Sequence, residues 1–360
     1  ERHHRTEEQH ERVTLAGVYV FDRLVASGKA GARHVQTAGG VRLALQALKL
    51  RSPSIELRFI ACRLLLHMLH DMGKDVHLAL LREGAPQLVT AIAAEATVLK
   101  AGQTALVTLR LLAMLTNGYE DTRSNNTEPN INCCLLEGCR AVAAAGGIGV
   151  ALDCLQAWTS KQMANTTDHE CLTVECFTVL WHLQKSLGQT AVQEILDHPG
   201  GYKLVVKAMH KYATSRAAPV GLPPFEIGFE VVVYACPPEQ MLTGIGGTVM
   251  TKDGIKPPSS VFKQSVEALI AAGIIAEAMA ALRSNSANAG FMRGLTFMVS
   301  ALLRHEAALM HILAPKAPRL LEAVAQAMAV HKTAVGVQAN VCAIFSNLST
   351  DVAQFDLTSA

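Results

Sequence analysis

The chain has 360 residues, of which 50% are apolar and 5% aromatic, and 32 basic residues nearly balance 30 acidic ones to leave a net charge of +2. That balance gives no argument for nucleic-acid binding, which usually shows a basic stripe or a high pI. The scarcity of aromatics argues against an all-β fold. The longest uncharged apolar run, Ala141 to Leu152, has 12 residues and three glycines, well short of the ~20 that a membrane span needs.

The charged start, Glu1 to Arg12, carries His3, His4 and His10. Metal binding would need converging ligands with a supporting shell, which this segment does not offer, and it reads as a solvated helix end. A long helix follows, from about Glu11 to Ser27. Then comes a short phrase, HVQTAGGVRLALQAL at His34 to Leu48, in which an apolar helix runs into a glycine turn and out into a second helix. Glycine accepts the left-handed backbone that ends the first helix, and Val41, Leu43, Ala44 and Leu48 recur at helical spacing after it. The next helix spans Ser54 to His70, where Ile55, Phe59, Cys62, Leu66 and Leu69 step by three and four.

The same order repeats along the chain. The phrase returns as LALLREGAPQLVTAI at Leu78 to Ile92, AVAAAGGIGVALDCL at Ala141 to Leu155, ILDHPGGYKLVVKAM at Ile195 to Met209 and ALIAAGIIAEAMAAL at Ala268 to Leu282. A degenerate copy, Ile312 to Met328, carries Pro315 and Pro318 in place of the glycine turn. Long helices follow the copies at Gln103 to Asn117, His169 to Lys185, Pro224 to Cys236, Ala287 to Arg304 and Thr333 to Leu348. Steps between Gly39, Gly84, Gly146, Gly200 and Gly273 are 45, 62, 54 and 73 residues. The excess over a 40–47-residue helical repeat falls in two insertions, 119–131 and 237–260, which read as loops on the array's edge. Residues 1–360 are therefore expected to form one array of about six units with partial ends, although the length alone also allows two or three globular domains.

The AGG turns at Ala38–Gly40 and Ala145–Gly147, with the closing VCAIFSNLS at Val341 to Ser349, resemble the armadillo repeat family over nearly the whole chain. HEAT repeats are the nearest alternative, and the three-helix unit with its glycine turn favours armadillo. The resemblance implies an all-α, right-handed superhelical solenoid of three-helix repeats. It also implies that the third helices line a groove, with one position near the end of each facing it. Here that position holds Arg23, His67, Ala113, His182, Tyr234, Ala301 and Asn347. Only Asn347 keeps the amide common in nuclear import receptors, and Ala343, four residues earlier, stands where those receptors carry Trp. That departure argues against recognition of nuclear localisation signals. Each of Arg23, His67, His182, Tyr234 and Asn347 has two readings: a contact for a partner segment, or a half-buried polar tip capping a neighbouring helix.

Chemistry of other kinds finds little support. There is no GxxxxGK[ST] loop, GxSxG elbow or HExxH, and Gly244, Gly246 and Gly247 neither follow a strand nor open a clear helix. Cys133, Cys134 and Cys139 lack the paired spacing of a zinc knuckle. Asp168, His169, Glu170 and Cys171 read as the acidic head of a helix, and Trp158 and Trp181 as packing anchors. Nine irregularly spaced cysteines, mostly in apolar stretches, suit free thiols in a reducing cytoplasm. Sequons at Asn125, Asn165 and Asn347 have no signal peptide to support them. The expected function is a non-enzymatic scaffold or adaptor without cofactor or metal, binding an extended or helical partner segment. The alternatives are a structural part of a ciliary or microtubule-associated assembly and a myosin-chaperone-like array.

Overall fold

The computed structural model describes residues 2–50, 53–117, 131–159, 167–212, 224–236, 260–284, 288–305 and 318–358. Both expected loop insertions except their last residues, Ile131 and Ser260, which open helices, lie outside them, as do the first half of the degenerate phrase, Gly244 to Gly247, Asn125 and Asn165. Among the described residues the secondary structure is helix and turn throughout, in eighteen α-helices. A lone long helix, α1 (Arg2–Val25), comes first. Three units of three helices follow: α2 (Lys29–Thr37), α3 (Gly40–Leu48) and α4 (Ile55–Met72); α5 (Lys74–Arg82), α6 (Ala85–Val98) and α7 (Gly102–Asn117); α8 (Ile131–Ala144), α9 (Gly147–Trp158) and α10 (Thr167–Leu187). Then come α11 (Gln189–Asp197), α12 (Gly201–Tyr212) and α13 (Pro224–Ala235), followed by α14 (Ser260–Ala271), α15 (Ile274–Ser284) and α16 (Ala289–Leu302). The last two described helices are α17 (Pro318–Val330) and α18 (Val335–Thr358).

Local chemistry sets the breaks. Gly146, with φ 82°, ends α8 in the left-handed region, where a side chain would crowd the backbone. The four other turn glycines expected from the phrase share that sign of φ. Gly147 answers a second requirement. A Cβ there would lie 2.5 Å from Val142 Cγ1 and 2.9 Å from the Val142 carbonyl oxygen, so the missing side chain lets α9 start hard against α8. Gly28, Gly73 and Gly188 also have positive φ and separate α1 from α2, α4 from α5 and α10 from α11, a punctuation the phrase did not contain. Ser54 caps α4 by accepting from the Leu57 amide at 3.3 Å, and Asn288 caps α16 by accepting from Phe291 at 3.0 Å. Such caps contribute ~1 kcal/mol each.

By its contacts the chain resolves into two compact units: Glu1–Ser160 with Ala164–Leu187, and Gly188–Ala360. In the first, the long helices stack in order, α1 on α4, α4 on α7 and α7 on α10, with the shorter helices packed behind them. The interior helix α4 buries Leu57, Leu64, Leu65 and Met68 completely, each stabilising by ~1.5–3 kcal/mol relative to an exposed side chain. In the second unit α13 packs on α16 and α16 on α18, around an aromatic cluster in which Phe225, Phe229 and Phe291 sit with ring centres 4.9–5.6 Å apart. Two helices are longer than expected by more than two turns: α1 starts at Arg2 rather than near Glu11, and α18 continues past Leu348 to Thr358. Among the described residues no single helix is long and apolar enough to cross a membrane.

Candidate partner-binding surface

In the first unit the expected positions lie on stacked long helices, and His67 and His182 reach back to the long helix before their own. Arg23 is exposed near the end of α1. Its guanidinium lies over the Tyr19 ring, 5.5 Å from the centroid, and its Nε donates to the Tyr19 hydroxyl at 3.3 Å. His67 on α4 is half-buried, with Nδ1 3.5 Å from Oδ1 of Asp22, the residue next to Arg23. Ala113 on α7 is buried. His182 on α10 is only 7% exposed, and its Nδ1 lies 3.1 Å from the Thr116 hydroxyl of α7. Because that hydroxyl donates to the Ala113 carbonyl at 2.9 Å, the network assigns the imidazole proton to Nδ1, which donates to Thr116. Burial pulls the His182 pKa down to about 4.

The second unit shows the same habit. Tyr234 on α13 is half-buried and Ala301 on α16 is buried. Asn347 on α18 is half-buried and donates through Nδ2 to the Ser300 carbonyl of α16 at 3.3 Å. Two turns earlier, Asn340 donates to the Arg293 carbonyl of α16 at 2.9 Å. The amide of Asn347 thus ties one long helix to the next while the side chain keeps a partly open edge.

Several residues on this surface had no counterpart in the sequence reading. Asp22, 2% exposed, takes two bonds from Arg63 of α4: Nε donates to Oδ1 at 3.1 Å and Nη2 to Oδ2 at 2.6 Å. Burial works against the Asp22 carboxylate, but His67 and Arg63 outweigh it and hold its pKa below the ordinary value. Arg63 also covers the Phe59 ring at 5.0 Å, and Lys185 covers the half-buried Trp181 ring at 5.7 Å. Arg110 of α7 donates through Nε to Glu175 of α10 at 2.7 Å, and Gln103 donates to Asp168 at 3.0 Å. On α1, α4 and α10 the half-exposed line therefore carries aromatic rings covered by cations, and on α7 it carries the Arg110 side chain bonded to α10. The helical spacing of Tyr19 and Arg23, Phe59 and Arg63, and Trp181 and Lys185 was the signal available for it.

The polar segment Asp168 to Cys171 opens α10, as an acidic first turn. Its His169 is buried with the ring centre 5.0 Å from that of Trp158, and Trp158 fills the space left beside Gly102. Among the described residues no group of three or more His, Cys, Asp or Glu side chains is placed to hold a metal ion. The Cys139 thiol donates to the Thr116 carbonyl at 3.2 Å, and the side chains of Cys133 and Cys134 lie outside the described ones.

No protein-family model matches the chain, and no curated protein matches it in sequence. Solved structures do. A designed armadillo repeat protein has a TM-score of 0.56 at 13% identity, covering 85% of this chain and 98% of its own. A second designed armadillo repeat protein, solved in complex with the peptide (KR)4, has a TM-score of 0.55 at 12% identity, with the same two coverages. An engineered protein from a structural genomics effort has a TM-score of 0.55 at 12% identity, covering 86% of this chain and 98% of its own. At that identity the likeness is one of fold, and the chain has an all-α, armadillo/HEAT-like helical solenoid fold.

Proposed function

We propose that the chain is a non-enzymatic scaffold that binds an extended or helical segment of a partner protein along its long third helices. The observation that carries this reading is the line of half-exposed aromatic, cationic and imidazole side chains on α1, α4, α7 and α10, held in place by bonds between neighbouring helices. Side chains fixed before a ligand arrives lose little further freedom on binding. The fold's likeness to a designed armadillo protein that was solved with a peptide supports the same mode of use. The partner's chemistry differs in this reading: cations over aromatic rings oppose a basic peptide such as (KR)4. The contact residues are Arg23 and His67 on the first unit's face, with Tyr234 and Asn347 as the corresponding positions in the second. His182 acts chiefly through Trp181 beside it. The setting is the reducing cytoplasm, which suits the seven described cysteines as free thiols.

Photo-crosslinking tests the reading. A photoreactive amino acid at His67 or Tyr234, with Gln46 as a control on the exposed side of α3, is irradiated in native extract separated into soluble and cytoskeletal fractions. A partner crosslinked from His67 or Tyr234 but not Gln46, and lost with Arg23→Glu, supports the scaffold. Equal crosslinking at all three positions overturns the groove. Crosslinks confined to the cytoskeletal fraction, with many neighbours, favour the assembly component.

A further inference from the structure

The charges are balanced over the whole chain but not locally. From Arg23 to Ile55 the sequence has six Lys and Arg residues, His34, and no Asp or Glu. The structure turns the described ones outward: Arg23, Lys29, Arg33, His34, Arg42 and Lys49 are all exposed. Lys49 meets Glu83 at 3.5 Å. The two described carboxylates of α1 are committed elsewhere, Asp22 to Arg63 and Glu11 to the Ser54 amide at 2.7 Å.

Beside this basic surface α1 presents an apolar seam. Val13, Val20 and Leu24 are 70%, 54% and 46% exposed, and Ala16 is exposed between them. Their steps of three and four are those by which one helix packs along another. The opposite side of α1 uses the same spacing, with Val18, Asp22 and Val25 buried and α4 packed alongside. We propose that this outward face of α1, with the basic surface of α2 and α3, docks an amphipathic helix of a partner protein whose apolar seam is flanked by acidic residues. The seam selects a helix, and the acid-free flank selects its charge. A lipid surface is a poorer fit, because membrane-seated faces carry bulky Trp, Phe and Leu and this seam is Val and Ala with one Leu. A second copy is also a poorer fit. The comparable exposed face of α18, with Val335, Ala339, Cys342 and Phe345, bears no carboxylate among its described side chains, and basic surface against basic surface repels. This surface adjoins the third-helix line at Arg23, and the substitutions that test it, at Val20, Lys29 and Arg33, leave the residues of that line in place.

The test uses the full 360-residue protein and a labelled synthetic helix with Leu at three-four spacing and Glu flanks, read by fluorescence anisotropy. A Lys-flanked helix of the same seam, phosphatidylserine vesicles and sedimentation of the protein alone are the comparison arms. The expected result is binding of the acidic helix only, weakened by salt. Val20→Glu and the pair Lys29→Glu, Arg33→Glu each weaken it by about tenfold or more, equivalent to ~1.4 kcal/mol. These are exposed positions, and unchanged circular dichroism confirms the fold. Equal binding of both helices, no binding, indifference to the substitutions, vesicle binding in place of peptide binding, or self-association abolished by Val20→Glu each overturns the proposal.

Discussion

Replacing Asp22 with Ala should destabilise the first unit by ~2–3 kcal/mol. The carboxylate is 2% exposed and accepts two bonds from Arg63, at 3.1 and 2.6 Å. A hydrogen bond to a charged group is worth ~1.5–3 kcal/mol, and removing one member of a buried pair costs ~3–5 kcal/mol, because the other charge is left without a partner. The Arg63 side chain is 31% exposed, so water recovers part of its solvation and the lower range applies. Urea unfolding followed by tryptophan fluorescence reads the effect, since both tryptophans, Trp158 and Trp181, belong to the first unit. The double swap Asp22→Leu, Arg63→Met should recover most of the loss, because a packed apolar pair replaces a desolvated ionic one. The pair also has a signature in pH. The folded-state pKa of Asp22 lies below its ordinary value, so its contribution is complete above the ordinary carboxylate range and is lost as pH falls through the depressed value. An Asp22→Ala protein within about 0.5 kcal/mol of the parent, with the same acid sensitivity, would refute this account.

Other expectations concern single sites. Gly147→Ala should cost ~1–3 kcal/mol by pressing a methyl against Val142. Gly146→Ala has open space around it, and should cost ~1–2 kcal/mol through backbone strain at φ 82° alone; thermal unfolding of the two variants measures both. His182 has its folded pKa lowered to about 4 from 6.5. The unfolded chain therefore takes up a proton below about pH 6.5 that the folded chain refuses until about pH 4. Stability should fall by ~3 kcal/mol across that window, and His182→Phe should flatten the fall in denaturation curves taken at several pH values. Mass spectrometry after alkylation should find exposed Cys342 modified in the folded protein. Cys62 and Cys236, with thiols pushed up to about 12 by burial, should react only after unfolding.

The repeat was legible in the sequence because its punctuation is local. A glycine between two apolar helices requires positive φ from its own backbone alone, and Gly39, Gly84, Gly146, Gly200 and Gly273 all adopt it. Gly28, Gly73 and Gly188 do the same between units. The recurring phrase does not include them, because it is centred on the turn within a unit, although Gly28 and Gly73 stand 45 residues apart, as Gly39 and Gly84 do. The direction in which neighbouring side chains face was not legible. Asp22 and Arg23 are adjacent in sequence and separated by ~100° around a helix, yet one is buried between helices and the other is in solvent. In α1, Val13, Val18, Val20 and Val25 lie on both the buried and the exposed sides, so apolar periodicity cannot say which side faces α4. Only the partner Arg63, 41 residues away, decides it.

The same limit applies to the groove positions, and it recasts the choice between a contact for a partner and a tip that caps a neighbour. His67 stands 3.5 Å from Asp22, His182 bonds to Thr116, and Asn347 donates to the Ser300 carbonyl. All three reach back to the preceding long helix, so all three cap a neighbour. They differ in what remains open. His182 is buried nearly completely, whereas His67 and Asn347 keep a solvent edge. A side chain already anchored on one side presents its free edge in a fixed place, which is what a preformed binding surface requires. For His67 and Asn347 the two readings are therefore compatible within one residue. For His182 the cap takes most of the side chain, and the half-buried Trp181 beside it keeps the open edge.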